Sequence, residues 1–359
     1  MANINDYLIW RGDVPILKEV PFNDVDSMIL ARFSYLLFDR INLKENETIE
    51  SISNKMKNFE NEEFNYNGDK ELITNLGKSI RFKDLYVSDY VKNNDIETEK
   101  QFSAITVHLS DEEMYISFLG TDKTILGWKE DFNMSFMENV PAQVAGLEYV
   151  NKIAKKYPSK KIRIGGHSKG GNVAVYSAVK CSNDIQRRII KICNYDGPGF
   201  DKKVVESNKN KEIIKKVNTY IPQDSIIGRI LEHEEKYEVV QSIENGIYQH
   251  DIYSWQIIGT EMIKLDSVTN SSEVINHAIR QWLKTTTPEQ RKIFINGIFD
   301  VFYSIEANTF SDINIKKLPT LIKTYREISE EDRKTIMEMI KIFGKAYLRT
   351  YNTHSRRWK

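Results

Sequence analysis

Cysteine is nearly absent from this chain. Only Cys181 and Cys193 occur among 359 residues, too few for a disulfide framework and without the CxxC or Cys/His spacing of a metal site. Net charge is absent too, because 51 Lys+Arg meet 51 Asp+Glu. The basic excess that neutralises phosphates is therefore missing, and no nucleic-acid partner is expected. No apolar run approaches the roughly 18 residues that a spanning helix needs. Stretches such as Ser34–Phe38 stay short, so no transmembrane segment is expected, and membrane contact is left to the periphery of the molecule. Met1–Trp10 carries Asn3, Asn5 and Asp6 where a signal peptide has a basic and then an apolar stretch. With so few thiols, this predicts a cytoplasmic protein.

What is present describes a globular, soluble chain. Hydrophobic residues make up 40% and charged residues 28%, with a mean hydropathy of −0.48, which is too apolar for disorder. At roughly 100–200 residues per domain the length allows two or three domains, or one with large insertions. Residues Asn23–Arg40 place Val25, Met28, Ile29, Phe33, Leu36 and Leu37 at near-helical spacing behind a possible Asn23 N-cap with Asp26 three residues on. From Asn42 to Lys100 the chain is rich in Asn, Glu, Asp and Lys, which predicts short helices and loops.

Beyond Phe102 the pattern changes. Ile105–Leu109 and Met114–Leu119 read as a strand pair around Ser110–Asp111–Glu112. A helix (about Pro141–Tyr157), a strand (Lys161–Ile164), a helix (about Lys169–Lys180) and strands at Ile189–Asn194 and Lys216–Ile221 follow. Tyr237–Ser242 and Tyr253–Ile258 are further strand candidates, and Val274–Leu283, Gln290–Tyr303 and Ile336–Leu348 have helical periodicity. Alternation of this kind implies an α/β fold with a mostly parallel sheet flanked by helices. The expected organisation is an N-terminal helical and irregular region (1–100) packed on an α/β core (101–260), with a C-terminal helical region (261–359).

The sharpest motif is Gly165-Gly166-His167-Ser168-Lys169-Gly170-Gly171-Asn172, a Gly-x-Ser-x-Gly between an apolar strand and a helix-forming run. A serine raised on so tight a turn has crowded neighbours, and glycine two residues to either side removes the Cβ clash. The helix N-terminus also favours an oxyanion. Ser168 is thus the expected nucleophile; a glycine-rich turn with an idle serine, or a phosphate cradle, is the plainer alternative. A Walker loop is absent.

A serine nucleophile needs a histidine base and an acid to hold it. Of six histidines, His108 lies in a strand before the motif, His167 flanks the serine, and His233 sits in a charged run. His277 is mid-helix and His354 is in the tail. His250, in Gly246-Ile247-Tyr248-Gln249-His250-Asp251, lies in a downstream loop and is the expected base. Asp224, after the strand ending Tyr220-Ile221, is the expected acid, giving the hydrolase order Ser168, Asp224, His250. Asp196, in Asn194-Tyr195-Asp196-Gly197, is the rival, while Asp251 reads as a loop residue. For the oxyanion, the backbone N–H of Lys169 and Thr121 in Leu119-Gly120-Thr121-Asp122 are the expected donors. None of this chemistry calls for a cofactor or a metal.

Phe118-Leu119-Gly120-Thr121-Asp122 with Trp128 and Asp131, and Gly166-His167-Ser168-Lys169-Gly170, resemble the corresponding stretches of class 3 lipases over roughly residues 100–260. Leu119 stands where those lipases usually have arginine, and Lys169 where they have a small or apolar residue. The motifs Tyr7-Leu8-Ile9-Trp10-Arg11-Gly12-Asp13, Pro21-Phe22-Asn23, Gly165–Asn172, Tyr195-Asp196-Gly197-Pro198-Gly199-Phe200 and Gln249-His250-Asp251 resemble the Mbeg-like family of bacterial hydrolase-like proteins along nearly the whole chain. Both resemblances imply an α/β-hydrolase-like fold and a Ser-His-Asp triad.

The expected function is therefore a serine hydrolase cleaving a small-molecule or lipid carboxylic ester through an acyl-enzyme. An inactive scaffold with a binding or regulatory role, or an amidase or peptidase with the same residues, are the alternatives. Trp128, Phe132, Met134, Phe136 and Met137 crowd the segment after the oxyanion loop, which reads either as core or as a lid over an acyl groove.

Overall fold

The strand pair read after Phe102 forms the start of the main sheet. In the computed structural model, which describes residues 2–17, 19–202, 204, 211–305, 307–309 and 317–357, β3 (Lys100–His108) and β4 (Glu113–Phe118) pair antiparallel with Ile105 opposite Ser117. β5 (Lys161–His167), β6 (Ile189–Tyr195), β7 (Val217–Pro222) and β8 (Tyr237–Val240) then continue parallel to β4. With β1 (Glu47–Thr48) and β2 (Tyr86–Asp95) at one edge and β11 (Lys264–Leu265) at the other, the sheet has nine strands in the order β1-β2-β3-β4-β5-β6-β7-β8-β11. β9 (Ile257–Ile258) and β10 (Glu261–Met262) make a separate two-stranded ribbon. Helical crossovers between parallel strands, with a serine at the turn after β5, make this an α/β-hydrolase-like fold.

Helices cover both faces because alternate strand residues point opposite ways. Along β4, Met114, Ile116 and Phe118 enter a cluster with Val150 and Ile153 of α6 (Pro141–Lys156) and Val173 and Ala174 of α7 (Lys169–Lys180). Tyr115 points the other way, into a cluster with Val25, Met28 and Ile29 of α2 (Asp24–Phe33). That cluster also contains Ile4, Tyr7 and Leu8 of α1 (Ile4–Arg11), Ile49 and Ile52 of α3 (Ile49–Met56), and Leu72, Ile73 and Leu76 of α4 (Asp69–Lys78). The capping box that starts α2 joins Asn23 and Asp26 as expected. Further helices are α5 (Ile125–Asn133), α8 (Asn183–Arg188), the short α9 (Lys211–Ile214), α10 (Asn270–Thr285), α11 (Pro288–Tyr303), α12 (Leu318–Glu327) and α13 (Glu330–Arg357). No helix among the described residues is long and apolar enough to cross a membrane.

Two expectations change. Tyr86–Asp95, inside the stretch read as short helices and loops, is a ten-residue strand of the main sheet; its Asn and Asp residues are poor strand formers, and pairing with β3 overrides them. Tyr253–Ile258, read as a strand, begins instead as a 3-10 turn at Ile252–Ser254. Asp251 accepts from Tyr253 N–H there, and the buried Trp255 indole donates to Gln249 O.

Candidate active site

The elbow is tight by construction. Ser168 joins β5 to α7 at φ 57° and ψ −134°, a region that costs a side-chain-bearing residue about 1–3 kcal/mol and persists only when its surroundings hold it. Here Ser168 N–H donates to Tyr195 O on β6 at 2.9 Å, and Gly171 N–H donates to Ser168 O at 2.9 Å. A Cβ on Gly166 would lie 2.3 Å from Gly170 C, and one on Gly170 would lie 2.3 Å from Phe118 O. Only glycine lets strand, turn and helix approach so closely.

His250 ends a 3-10 turn, Gly246–His250, and its Nδ1 donates to Asp196 Oδ2 at 2.6 Å. A carboxylate only accepts, so the proton sits on Nδ1 and Nε2 is the basic nitrogen. The ring lies 4.6 Å, centroid to centroid, from that of His167, which adjoins Ser168. Asp196 follows β6 in the left-handed region at φ 52° and is 1% exposed. Its other oxygen accepts from Ser225 Oγ at 2.5 Å and Gly228 N–H at 3.1 Å.

The carboxylate beside His250 is thus that of Asp196, not the expected Asp224. Asp224 Oδ1 accepts from Thr269 Oγ1 and, at 2.7 Å, from Ser271 Oγ. Its Oδ2 accepts from Gly246 N–H at 3.1 Å and Gln249 Nε2 at 3.3 Å. Partial burial pushes the Asp224 carboxyl up, but the hydrogen bonds from Thr269, Ser271 and Gly246 outweigh it and hold the group below the usual range. Asp224 therefore fastens the loop that carries His250 to the start of α10. It has no oxygen facing the imidazole.

Thr121 and Lys169 flank the serine. A Cβ on Gly120 would sit 3.1 Å from Ser168 Cβ, so the Gly120–Thr121 loop lies against the elbow. Thr121 Oγ1 donates to Asp131 Oδ2, and Tyr66 OH donates to Thr121 O at 3.4 Å. Burial pushes the Asp131 carboxyl up to about 6, against the lowering effect of Lys169 and Thr121. The first amides of a helix have no helical acceptor, which leaves Lys169 N–H available at the start of α7. The Lys169 side chain turns inward, donating to Glu130 Oε2 at 2.7 Å and Gln101 Oε1 at 2.6 Å. Its charge is thereby neutralised in the interior, with both partners buried.

His167 does more than flank the serine. Burial keeps it well below its ordinary pKa and hence neutral. Its Nε2–H donates to His250 O at 2.7 Å, and Tyr35 OH donates to Nδ1 at 3.0 Å. A residue just past α2 thus braces the histidine loop through the neighbour of the nucleophile. No local sequence signal marks Tyr35, because it meets His167 across 132 positions of chain. The aromatic segment after the oxyanion loop is only partly buried: Trp128 and Phe136 are half-buried against Ile295 and Phe299 of α11, Met134 is buried, and Phe132, 47% exposed, lies 5.8 Å from Phe299, ring to ring.

The profile of the Mbeg1-like family matches residues 76–300. No curated protein matches. Among solved structures, a fungal lipase–inhibitor complex is similar at 15% identity over 45% of this chain and 68% of that one, with a TM-score of 0.34. Lipase II from Rhizopus niveus is 12% identical over 53% of this chain and 76% of its own, at 0.33. The Lip2 lipase of Yarrowia lipolytica is 10% identical over 59% and 75%, at 0.35.

Proposed function

This chain belongs to the Mbeg1-like family, and from that premise we propose that it is a serine hydrolase cleaving a carboxylic ester through an acyl-enzyme. The observation that carries the reading is the 2.6 Å pair of His250 Nδ1 with the buried Asp196, beside a serine held in a strained turn. In this reading Ser168 Oγ attacks the ester carbonyl while His250 Nε2 takes its proton. Asp196 keeps the proton on Nδ1 and stabilises the imidazolium. The oxyanion is met by the backbone N–H groups of Lys169 and Thr121, the latter positioned through its hydroxyl bond to Asp131. Collapse of the tetrahedral intermediate breaks the C–O bond, and His250 returns the proton to the leaving alcohol. Water then attacks the acyl-serine by the same route, with His250 again as base.

A fluorophosphonate probe tests this directly, since it reacts with activated serines. The intact protein should be labelled once, at Ser168, and Ser168→Ala should abolish labelling. A folded wild-type protein that the probe does not label would instead support the inactive scaffold.

A further inference from the structure

The last long helix carries a surface that the proposed hydrolase does not use. On α13, Ile336, Met339, Ala346 and Thr350 are buried. At roughly 3.6 residues per turn, Met337, Ile340, Tyr347, Leu348 and Tyr351 fall on a second, neighbouring stripe. That stripe is open: Ile340 is 50%, Leu348 60% and Tyr351 54% exposed. Lys341, Lys345 and Arg349 occupy the adjoining arc and are exposed as well.

Charge distinguishes what would cover this face. Residues 339–359 hold six Lys/Arg and no Asp/Glu. The remainder of the chain therefore has 45 basic residues (51 minus 6) against 51 acidic ones, a net of minus six. An anionic surface attracts this C-terminal stretch and repels the rest of the molecule, including the acidic first turn of α13, so the charge distribution would orient the protein as well as hold it. Exposed tyrosines beside lysines that can extend their charged ends suit the boundary between lipid headgroups and acyl chains.

Position adds to the argument. Trp282, late in α10, donates to Met339 O early in α13 at 3.2 Å. His277, further back on α10, shares a cavity of about 450 Å³ with Thr350 and Thr353. The helices therefore run in opposite senses, and the Arg349–Thr353 end of α13 lies toward the start of α10. Thr269 and Ser271 at that start hold Asp224, which fastens the His250 loop.

We propose that α13 docks this protein on an anionic lipid surface, its apolar stripe entering the headgroup boundary and Lys341, Lys345 and Arg349 meeting lipid phosphates. Binding is read without turnover, so its failure and failure of the hydrolase reading are separate results. The full-length protein is sedimented with phosphatidylcholine vesicles, with and without phosphatidylglycerol. It should pellet only with the anionic vesicles and be released as salt rises from about 0.1 to 1 M, where screening shortens from ~10 to ~3 Å. Lys341→Gln, Lys345→Gln and Arg349→Gln combined should weaken binding by about a hundredfold, each charge contributing about fivefold. Ile340→Ser with Leu348→Ser should weaken it without a change in thermal melting, since both side chains are exposed. Equal binding to the neutral vesicles, binding to neither, or an unweakened charge variant would overturn the proposal. So would a dimer in sedimentation velocity that the apolar variant dissolves while vesicles are ignored, which would assign the stripe to a second copy. Should the apolar variant fail to fold, the charge variant and the salt titration still decide.

Discussion

Asp196 and Asp224 follow neighbouring parallel strands, β6 and β7, and each stands between Ser168 and His250 in the chain. They differ in what their oxygens already bind. Asp196 gives one oxygen to Ser225 and Gly228 and keeps the other for His250, whereas both oxygens of Asp224 are taken by Thr269, Ser271, Gly246 and Gln249. Asp196→Asn should leave the wrong imidazole tautomer and lower kcat by ~10⁴. Asp224→Asn should cost far less, about tenfold or under, because it loosens the loop and leaves the His250–Asp196 pair intact. Steady-state hydrolysis of a p-nitrophenyl ester checks both, and the reverse ranking would return the acid's role to Asp224. Chain order does not separate the two carboxylates, since Ser-Asp-His holds for either. The choice depends on which hydroxyls and amides the loops bring near.

At the scale of elements, the segment that runs from β5 through Ser168 into α7 is tied to its neighbours by a charge the reaction does not need. Lys169 Nζ, 1% exposed, joins α7 to Glu130 on α5 and to Gln101 on β3. Glu130 also accepts from Gln101 N–H at 3.0 Å and Ala142 N–H at 2.7 Å, so it holds the start of α6 too. Removing one partner of such a pair leaves the other charged in the interior, at a cost of about 3–5 kcal/mol. Lys169→Met should destabilise by that amount in urea unfolding, and adding Glu130→Gln should recover part of it. If the single variant unfolds like the wild type, the pair is not what fastens the elbow. The elbow itself is legible from Gly166, Ser168 and Gly170, because its glycine requirement is local. The lysine's inward turn is not, because Glu130 is 39 residues away.

Across the whole molecule, stability should depend on pH through histidines buried in neutral form. Burial, followed by the charge of Lys160, pushes His108 down from 6.5 to about 4, while it stacks on Tyr86 at 4.4 Å. A histidine whose folded pKa is depressed favours folding above its unfolded value. That contribution is lost as pH falls from about 6.5 to 4, up to ~3 kcal/mol at about 1.4 kcal/mol per pH unit. Asp131 acts oppositely: raised from 3.8 to about 6 by burial, it resists ionisation, so stability is lost as pH rises through that window. The two slopes partly cancel, and the histidine's share is read as a difference. The loss of unfolding free energy between pH 6.5 and 4 should be smaller in His108→Gln than in the wild type by up to that ~3 kcal/mol. Equal acid slopes would show that His108 titrates freely in the folded protein.

The sequence by itself determined what short-range rules can specify. Alternation of apolar runs with helical periods sets out β4 to β8 and the helices α6 and α7 between them, because strand and helix periodicities are local, whereas α5, α8 and α9 go unmarked. The Asn23–Asp26 capping box and the glycines around Ser168 likewise depend only on neighbours a few residues away. Tertiary structure decided the rest, where local preference is weak or silent. It recruited the polar Tyr86–Asp95 as a strand because β3 presented an edge to pair with. It set Asp196 rather than Asp224 against His250, and it placed Tyr35 on His167. Hydrogen bonds between groups distant in sequence depend on where the fold carries each loop, and no spacing along the chain encodes that.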